Sequence, residues 1–189
     1  MRSKFGLQKR KVAASATEVF ILASDYIERQ AQALVRKYYT RDPFEICACL
    51  GVKVQTDDIG SLKGMYVYIK RNRYIVLNSA LEAPMRRLVC AHELGHDQLH
   101  REMAKYSFIH DSDLCDLSSK PEYEANVFAA TVLLEDKSFV DLAQGGLDVQ
   151  GLAREFEVDP NLVVLKGRLL NNRGYRLNTF EHKANFLKS

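Results

Sequence analysis

Leu88-Val89-Cys90-Ala91-His92-Glu93-Leu94-Gly95-His96-Asp97-Gln98-Leu99 is the stretch on which the reading of this chain turns. Pro84 suits a first helical position, and Leu88, His92, Gly95, His96 and Leu99 fall on one face, so the spacing predicts a helix from Pro84 to about Met103. Two histidines four residues apart on a helix sit one above the other. Both imidazoles can then bind one zinc ion at about 2.0–2.1 Å. Glu93 is rotated about 100° from His92, which brings it beside the metal and within reach of a water there. Zinc lowers the pKa of such a water toward about 7, and a carboxylate so placed takes its proton as it attacks a carbonyl. A chance match on a surface helix is the plain alternative. Against it, the histidines share their face with leucines, where unpaired imidazoles cost on the order of a few kcal/mol. Gly95 costs about 1 kcal/mol of helix propensity, which implies a packing or access reason for it.

A catalytic zinc needs a third protein ligand and one open position. His100 fails on distance, because eight residues along a helix is roughly 12 Å. A third histidine after a turn is also missing, since position 102 holds Glu102. His110 serves only if the intervening loop folds back. Glu124 fits better: it falls in the first turn of the next helix, and Ala125 and Ala129 are small enough to let that helix approach closely. Glu122, two residues earlier and pointing elsewhere, is its local competitor. Glu124 is therefore the expected third ligand. For the developing oxyanion, Tyr106, His110 and Tyr123 are all available donors, each equally readable as an ordinary loop or packing residue. Asp97 and His100 are placed to orient the ligands through hydrogen bonds, with a satisfied structural histidine as the alternative for His100.

Outward from this helix, apolar positions from Val19 to Tyr38 at a 3.6-residue period predict one long amphipathic helix over 15–39. Asp42, Pro43 and Glu45 open a short helix that stops at Gly51. Val52–Val54, Met65–Ile69 and Tyr74–Leu77 read as strands, the last two joined by a hairpin through 70–73 into a small, largely antiparallel sheet. Tyr74–Leu77 is a candidate edge strand for pairing with an extended substrate, with a plain core strand as the alternative. Ser119 and Pro121 start another helix with Ala125, Phe128, Ala129, Val132 and Leu133 as its stripe. Gly145-Gly146 is a turn, and two short helices follow at 149–156 and 160–170. The fold class is α+β. Residues 1–14 form a basic extension, 15–145 the catalytic domain and 146–189 a small helical part with a polar tail.

Hydrophobic residues make up 47% of the 189 and charged residues 27%, enough for a core that needs neither disulfide nor structural metal. Any metal here therefore serves chemistry. The net charge of +3 sits mostly in Arg2, Lys4, Lys9, Arg10 and Lys11 and does not argue for nucleic acid. Cys47, Cys49, Cys90 and Cys115 form no C-x-x-C pair and read as small buried thiols of a reducing compartment. Thr17 and Glu18 interrupt any signal peptide, and no run approaches the roughly 18 apolar residues of a membrane span. A cytoplasmic protein is expected. The segment from Leu152 to Leu165 has the rhythm of a helix-turn-helix, but its second helix opens Asn161-Leu162-Val163-Val164, too apolar for a DNA reader. Packing or docking of a protein is the favoured reading there.

Ala91–His100 followed by Tyr123-Glu124-Ala125-Asn126-Val127-Phe128-Ala129-Ala130 resembles the ImmA/IrrE family of metallopeptidases, as do Thr40–Ile46 and the run from Lys63 to Asn78. The resemblance spans roughly residues 30 to 170. It implies a zincin-like fold of the gluzincin type, His92 and His96 as zinc ligands, Glu93 as catalytic base and Glu124 as third ligand. It further implies an endopeptidase acting on a helix-turn-helix transcriptional repressor of a phage or mobile element. One departure stands out: after Leu133-Leu134, where the family often carries a Met- or Ile-Pro step, this chain reads Glu135-Asp136. Two rivals remain in view, a zinc-containing module that sequesters a repressor without cutting it and a DNA-binding regulator using the C-terminal helices. Glu93 counts against the first, because a structural site has no use for that carboxylate.

Overall fold

A computed structural model of the chain describes residues 16–104, 109–111 and 119–177. The basic extension 1–14, Tyr106, Cys115 and the end of the tail lie outside these residues. The order is α1 (Ala16–Tyr38), α2 (Pro43–Leu50), β1 (Lys53–Asp57), β2 (Gly64–Ile69), β3 (Asn72–Asn78), α3 (Ala83–Leu99), α4 (Arg101–Ala104), β4 (Ile109–Asp111), α5 (Lys120–Leu133), α6 (Asp136–Gln144), α7 (Val149–Phe156) and α8 (Pro160–Asn172). The class is α+β, as expected. Among the described residues, no helix is long and apolar enough to cross a membrane.

The sheet runs β1-β3-β2-β4. β2 and β3 form the expected antiparallel hairpin, closed by Lys70 and Arg71 alone, both at positive φ (48° and 64°). Two left-handed residues give the turn whose twist matches that of the flanking strands. β1 instead pairs with β3 in parallel, so the sheet is mixed. β3 is thereby an interior strand with Ile75 and Leu77 buried, and the reading of Tyr74–Leu77 as a substrate-pairing edge does not hold. The edge beyond β2 belongs to β4, which pairs His110 with Met65 in register. Nothing in the residue pattern announces that strand, because it lies in a short polar segment without alternation.

α3 lies between this sheet and α5. Its residues from Leu88 to Asp97 are all buried. Asp97 locks helix to sheet: its carboxylate accepts from the Tyr66 hydroxyl (2.8 Å), the Arg73 guanidinium (3.1 Å) and Arg101 (3.3 Å). Arg73 also donates to the Leu50 carbonyl at the end of α2. Burial and the adjacent Asp97 carboxylate push the Tyr66 phenol well above its usual range, so it stays a neutral donor. Asp97 thus anchors the helix as a whole rather than one imidazole.

Gly95 explains how α3 and α5 come so close. A Cβ built there would lie 3.0 Å from the Ala125 Cα and 3.1 Å from the Ala125 carbonyl oxygen, both backbone atoms that cannot swing away. Gly95→Ala gains about 1 kcal/mol of helix propensity. Overpacking against a rigid neighbour costs about 1–3 kcal/mol. The expected result is a net loss of about 1 kcal/mol, read as a lower urea midpoint at unchanged slope. A higher midpoint would show that the two helices have room to spare.

Among the described residues, the last helix contributes to the core. α8 buries Leu162, Val163, Leu165, Lys166, Leu169 and Leu170 and packs on α5. A helix buried in this way cannot read a DNA groove. Lys166 is fully buried and pairs with Asp136, which also accepts from Arg173 at 2.8 Å. Glu135, the departure from the family pattern, caps α6 by accepting from the Ser138 amide at 2.6 Å. The Glu-Asp step therefore starts a helix that the sequence reading did not foresee. Cys47 and Cys90 are buried with their sulfurs 4.0 Å apart, whereas Cys49 is exposed, against expectation.

Candidate metal centre

His92 and His96 project from one face of α3, both with no exposed surface. Their rings stand edge to face with centroids 4.8 Å apart, and the two Nε2 atoms are 3.1 Å apart. The carboxylate that meets them belongs to Glu122. One of its oxygens lies 3.1 Å from His92 Nε2 and the other 3.5 Å from His96 Nε2. These three residues form the one metal-capable group of ligand atoms among the described residues, all within 4.8 Å of one another.

Glu124 is not in this cluster. Its carboxylate turns to His100, whose Nε2 lies 2.9 Å away. The reason is helical phase. Two residues along a helix are rotated by about 200°. The stripe that α5 presents to α3 includes Ala125 and Ala129, and stepping back three and seven residues from them reaches Glu122. The carboxylate that lies beside the two histidines is thus that of the competitor, Glu122, and the one expected there, Glu124, lies beside His100. Asn126 carries a further signal: four residues after Glu122 and so on the same face, it holds His92 Nδ1 at 3.0 Å through its Oδ1. Sequence reasoning passed over it, although its spacing from Glu122 was legible. Ser119 caps α5 by accepting from the Glu122 amide, which fixes the first turn where that carboxylate sits.

One set of tautomers, with every ring neutral, satisfies all of these contacts. Asn126 Oδ1 is an acceptor, so His92 Nδ1 donates and Nε2 keeps its lone pair. Glu124 accepts from His100 Nε2–H, and His100 Nδ1 then accepts from His96 Nδ1–H at 3.0 Å. His96 Nε2 is left with its lone pair as well. Burial, with His92 and His100 nearby, pushes the His96 imidazolium down to about 4, so the ring is neutral at physiological pH. Two imidazole lone pairs and a carboxylate therefore converge on one point with no donor among them. Such a set repels itself unless a cation sits between, and two nitrogens plus one oxygen is the donor chemistry zinc takes.

Glu93 is fully buried on the neighbouring face of α3, against β2. Gly64 at the start of β2 is what admits it: a Cβ there would come within 3.1 Å of Glu93 Oε1 and run into the Val89 side chain. The oxyanion candidates fare differently. Tyr123 turns its hydroxyl to Ser24 Oγ on α1 (3.3 Å), away from the histidines. Tyr106 lies outside the described residues. His110 is placed by its backbone in β4, next to β2 at the edge of the sheet.

With this geometry in place, comparison with known proteins is decisive on family. A model of the IrrE N-terminal-like peptidase domain (peptidase M78) matches residues 47–166, well over half the chain. The chain belongs to this family. It is 40% identical over 111 residues to "Uncharacterized immunity region protein 2" of Bacillus phage phi105, covering 58% of this chain and 69% of that protein. It is 26% identical over 137 residues to "Metallopeptidase ImmA" of Bacillus subtilis (strain 168), covering 72% of this chain and 78% of that one. The M78 match takes in α3, α5 and the first half of α8, so the convergent cluster lies wholly inside the family domain.

Proposed function

We propose that this M78 peptidase is a zinc-dependent, zincin-like endopeptidase in which His92, His96 and Glu122 hold the metal and Glu93 is the catalytic base. The observation that carries the reading is the convergence of two imidazole lone pairs and one carboxylate at 3.1–3.5 Å, each imidazole fixed by a bond to its far nitrogen. Zinc, when bound, supplies Lewis-acid polarisation that makes a water acidic near neutral pH. Glu93 takes the proton of the attacking water and delivers it to the departing amine nitrogen. Its seclusion between α3 and Gly64 keeps bulk water from competing for that proton. Asn126 and His100 hold the imidazole planes, and Asp97 holds α3 on the sheet. The name of the B. subtilis relative supports a metallopeptidase, and the immunity-region name of the phage relative supports a substrate that controls phage or mobile-element genes. The substrate proposed is accordingly a helix-turn-helix repressor encoded beside the protease.

The test is direct cleavage. Purified protein loaded with zinc is incubated with the co-encoded repressor, alone and in cell lysate, with and without a chelator. New fragments that vanish with chelator support the reading. An intact repressor in both settings sinks it, and derepression without cleavage would move the sequestering module to the front.

A further inference from the structure

We propose that the groove between the start of α3 and the turn joining α7 to α8 is a docking site for a basic, apolar segment of the repressor, apart from the bond that is cut. This rests on the substrate reading above and adds to it the surface by which the protease selects that substrate. The groove encloses about 520 Å³, within the roughly 300–1,000 Å³ of ordinary binding clefts. Leu88 and Ala153 are its buried lining, and Leu81, Met85 and Val158 are half-buried around it. The charged part of the lining is acidic throughout: Glu82, Glu157 and Asp159. Among the described residues that line it there is no cation, and Arg86, Arg87 and Arg154 of the adjoining turns do not line it. Apolar walls beside three carboxylates fit an aliphatic side chain flanked by lysine or arginine. A DNA-binding repressor offers that combination, because it carries lysines and arginines to meet phosphates. An amphipathic segment seats its apolar side in such a groove.

The walls are set before any partner arrives, which lowers the cost of binding. Asn78, at the end of β3, accepts from the Ala80 amide (2.9 Å) and donates to the Gly60 and Leu62 carbonyls (2.9 and 2.7 Å). The Leu81 amide in turn donates to the Asn78 carbonyl at 3.2 Å. On the opposite wall the Val158 amide donates to the Ala153 carbonyl (3.0 Å), and Asp159 accepts from the Asn161 amide (2.8 Å). Glu82 precedes α3 without a side-chain capping bond, and Glu157 is exposed, so both carboxylates are available to a partner. Leu88 lies one turn, about 6 Å, before His92 on α3. Groove and metal centre thus share one buried helix, and a repressor seated in the groove is held at a fixed distance from the cut. Such docking favours a whole protein over a short peptide.

The test compares full-length wild type with the double variant Glu82→Lys/Glu157→Lys and with Met85→Ala and Glu157→Gly. Each is assayed on the co-encoded repressor and on a short peptide spanning the bond cut in it. Repressor binding is measured separately, by fluorescence anisotropy in the presence of chelator. The charge reversal is expected to raise KM for the repressor by about tenfold at low salt with kcat held, an effect that shrinks as salt screens it. Met85→Ala is expected to raise that KM by about 5–30-fold at any salt, the usual loss at an apolar anchor. Hydrolysis of the peptide should not change in any variant. Glu157→Gly guards against misfolding: Glu157 sits at φ 54°, where glycine is at ease, so the urea midpoint should hold or rise while the repressor KM rises. Equal losses on repressor and peptide, or a repressor KM indifferent to all three variants, overturn the proposal. Faster peptide hydrolysis in the charge-reversed variant also overturns it, because the groove would then be occupied by a basic segment of this chain itself. A wild type that cuts nothing defeats the reading of the reaction, while repressor binding still decides the groove. Binding weakened by the variants upholds the docking site, and absent or unaltered binding ends it.

Discussion

Replacing Glu93 by glutamine is expected to leave zinc content unchanged and to slow peptide hydrolysis by about 10²–10⁴-fold, the usual worth of a positioned general base. The substitution keeps the volume that fills the space between α3 and Gly64, so nothing in the packing forces a shift. What it removes is the ability to take a proton. Glu93 lies outside the ligand cluster of His92, His96 and Glu122, which is why metal content and rate should separate. Folding stability should hold or rise, because a carboxylate with no exposed surface gives way to a neutral amide. Elemental analysis, urea unfolding and single-turnover cleavage together decide the matter. Wild-type cleavage by Glu93→Gln would remove Glu93 from the chemistry. Loss of zinc in that variant would make it part of the metal site and require the ligand set to be redrawn.

How much of this is legible in the sequence depends on how local the determining interaction is. The pair His92 and His96 is set by the pitch of one helix, and the caps at Asp42 and Asp159 by contacts within two residues, so all of these can be read directly. Pairing between strands is different. Val54, Ile75 and Tyr66 announce strands through their side chains, but nothing local says that β1 joins β3 in parallel and so makes β3 interior. The Glu135 cap is hidden by the opposite fault. Two acidic residues where the family resemblance leads one to expect a proline step look like an interruption, although Glu135 followed by Ser138 is a good helix start. The third member of the cluster is obscured by phase. Small residues at 125 and 129 correctly mark the close face of α5, but Glu122 meets His92 and His96 from it, whereas Glu124, about 200° further round, reaches α3 only at its end, through His100. The Glu124 expectation is not empty: the residue does meet the histidines, one ring further out.

Glu122→Ala follows from that phase argument and should be the most damaging single change to the metal site. Structural zinc sites are worth about 10–16 kcal/mol in all, and on that scale one of three protein ligands carries roughly 3–5 kcal/mol, or on the order of 10²–10⁴-fold in affinity. Glu124→Ala, which removes the carboxylate beside His100, should cost no more than about 100-fold, because it leaves all three donors present. The ranking matters more than either figure. Cobalt substitution adds a qualitative mark, since its visible spectrum follows the number and kind of ligands. Glu122→Ala should change that spectrum, and Glu124→Ala should weaken binding while keeping its shape. The fold should survive both changes, for each side chain is 19% exposed in the first turns of α5, at the edge of the core. Should Glu124→Ala prove the more damaging and alter the spectrum, then α5 must turn on its axis when zinc binds, and the carboxylate that faces the histidines here would not be the one that holds the ion.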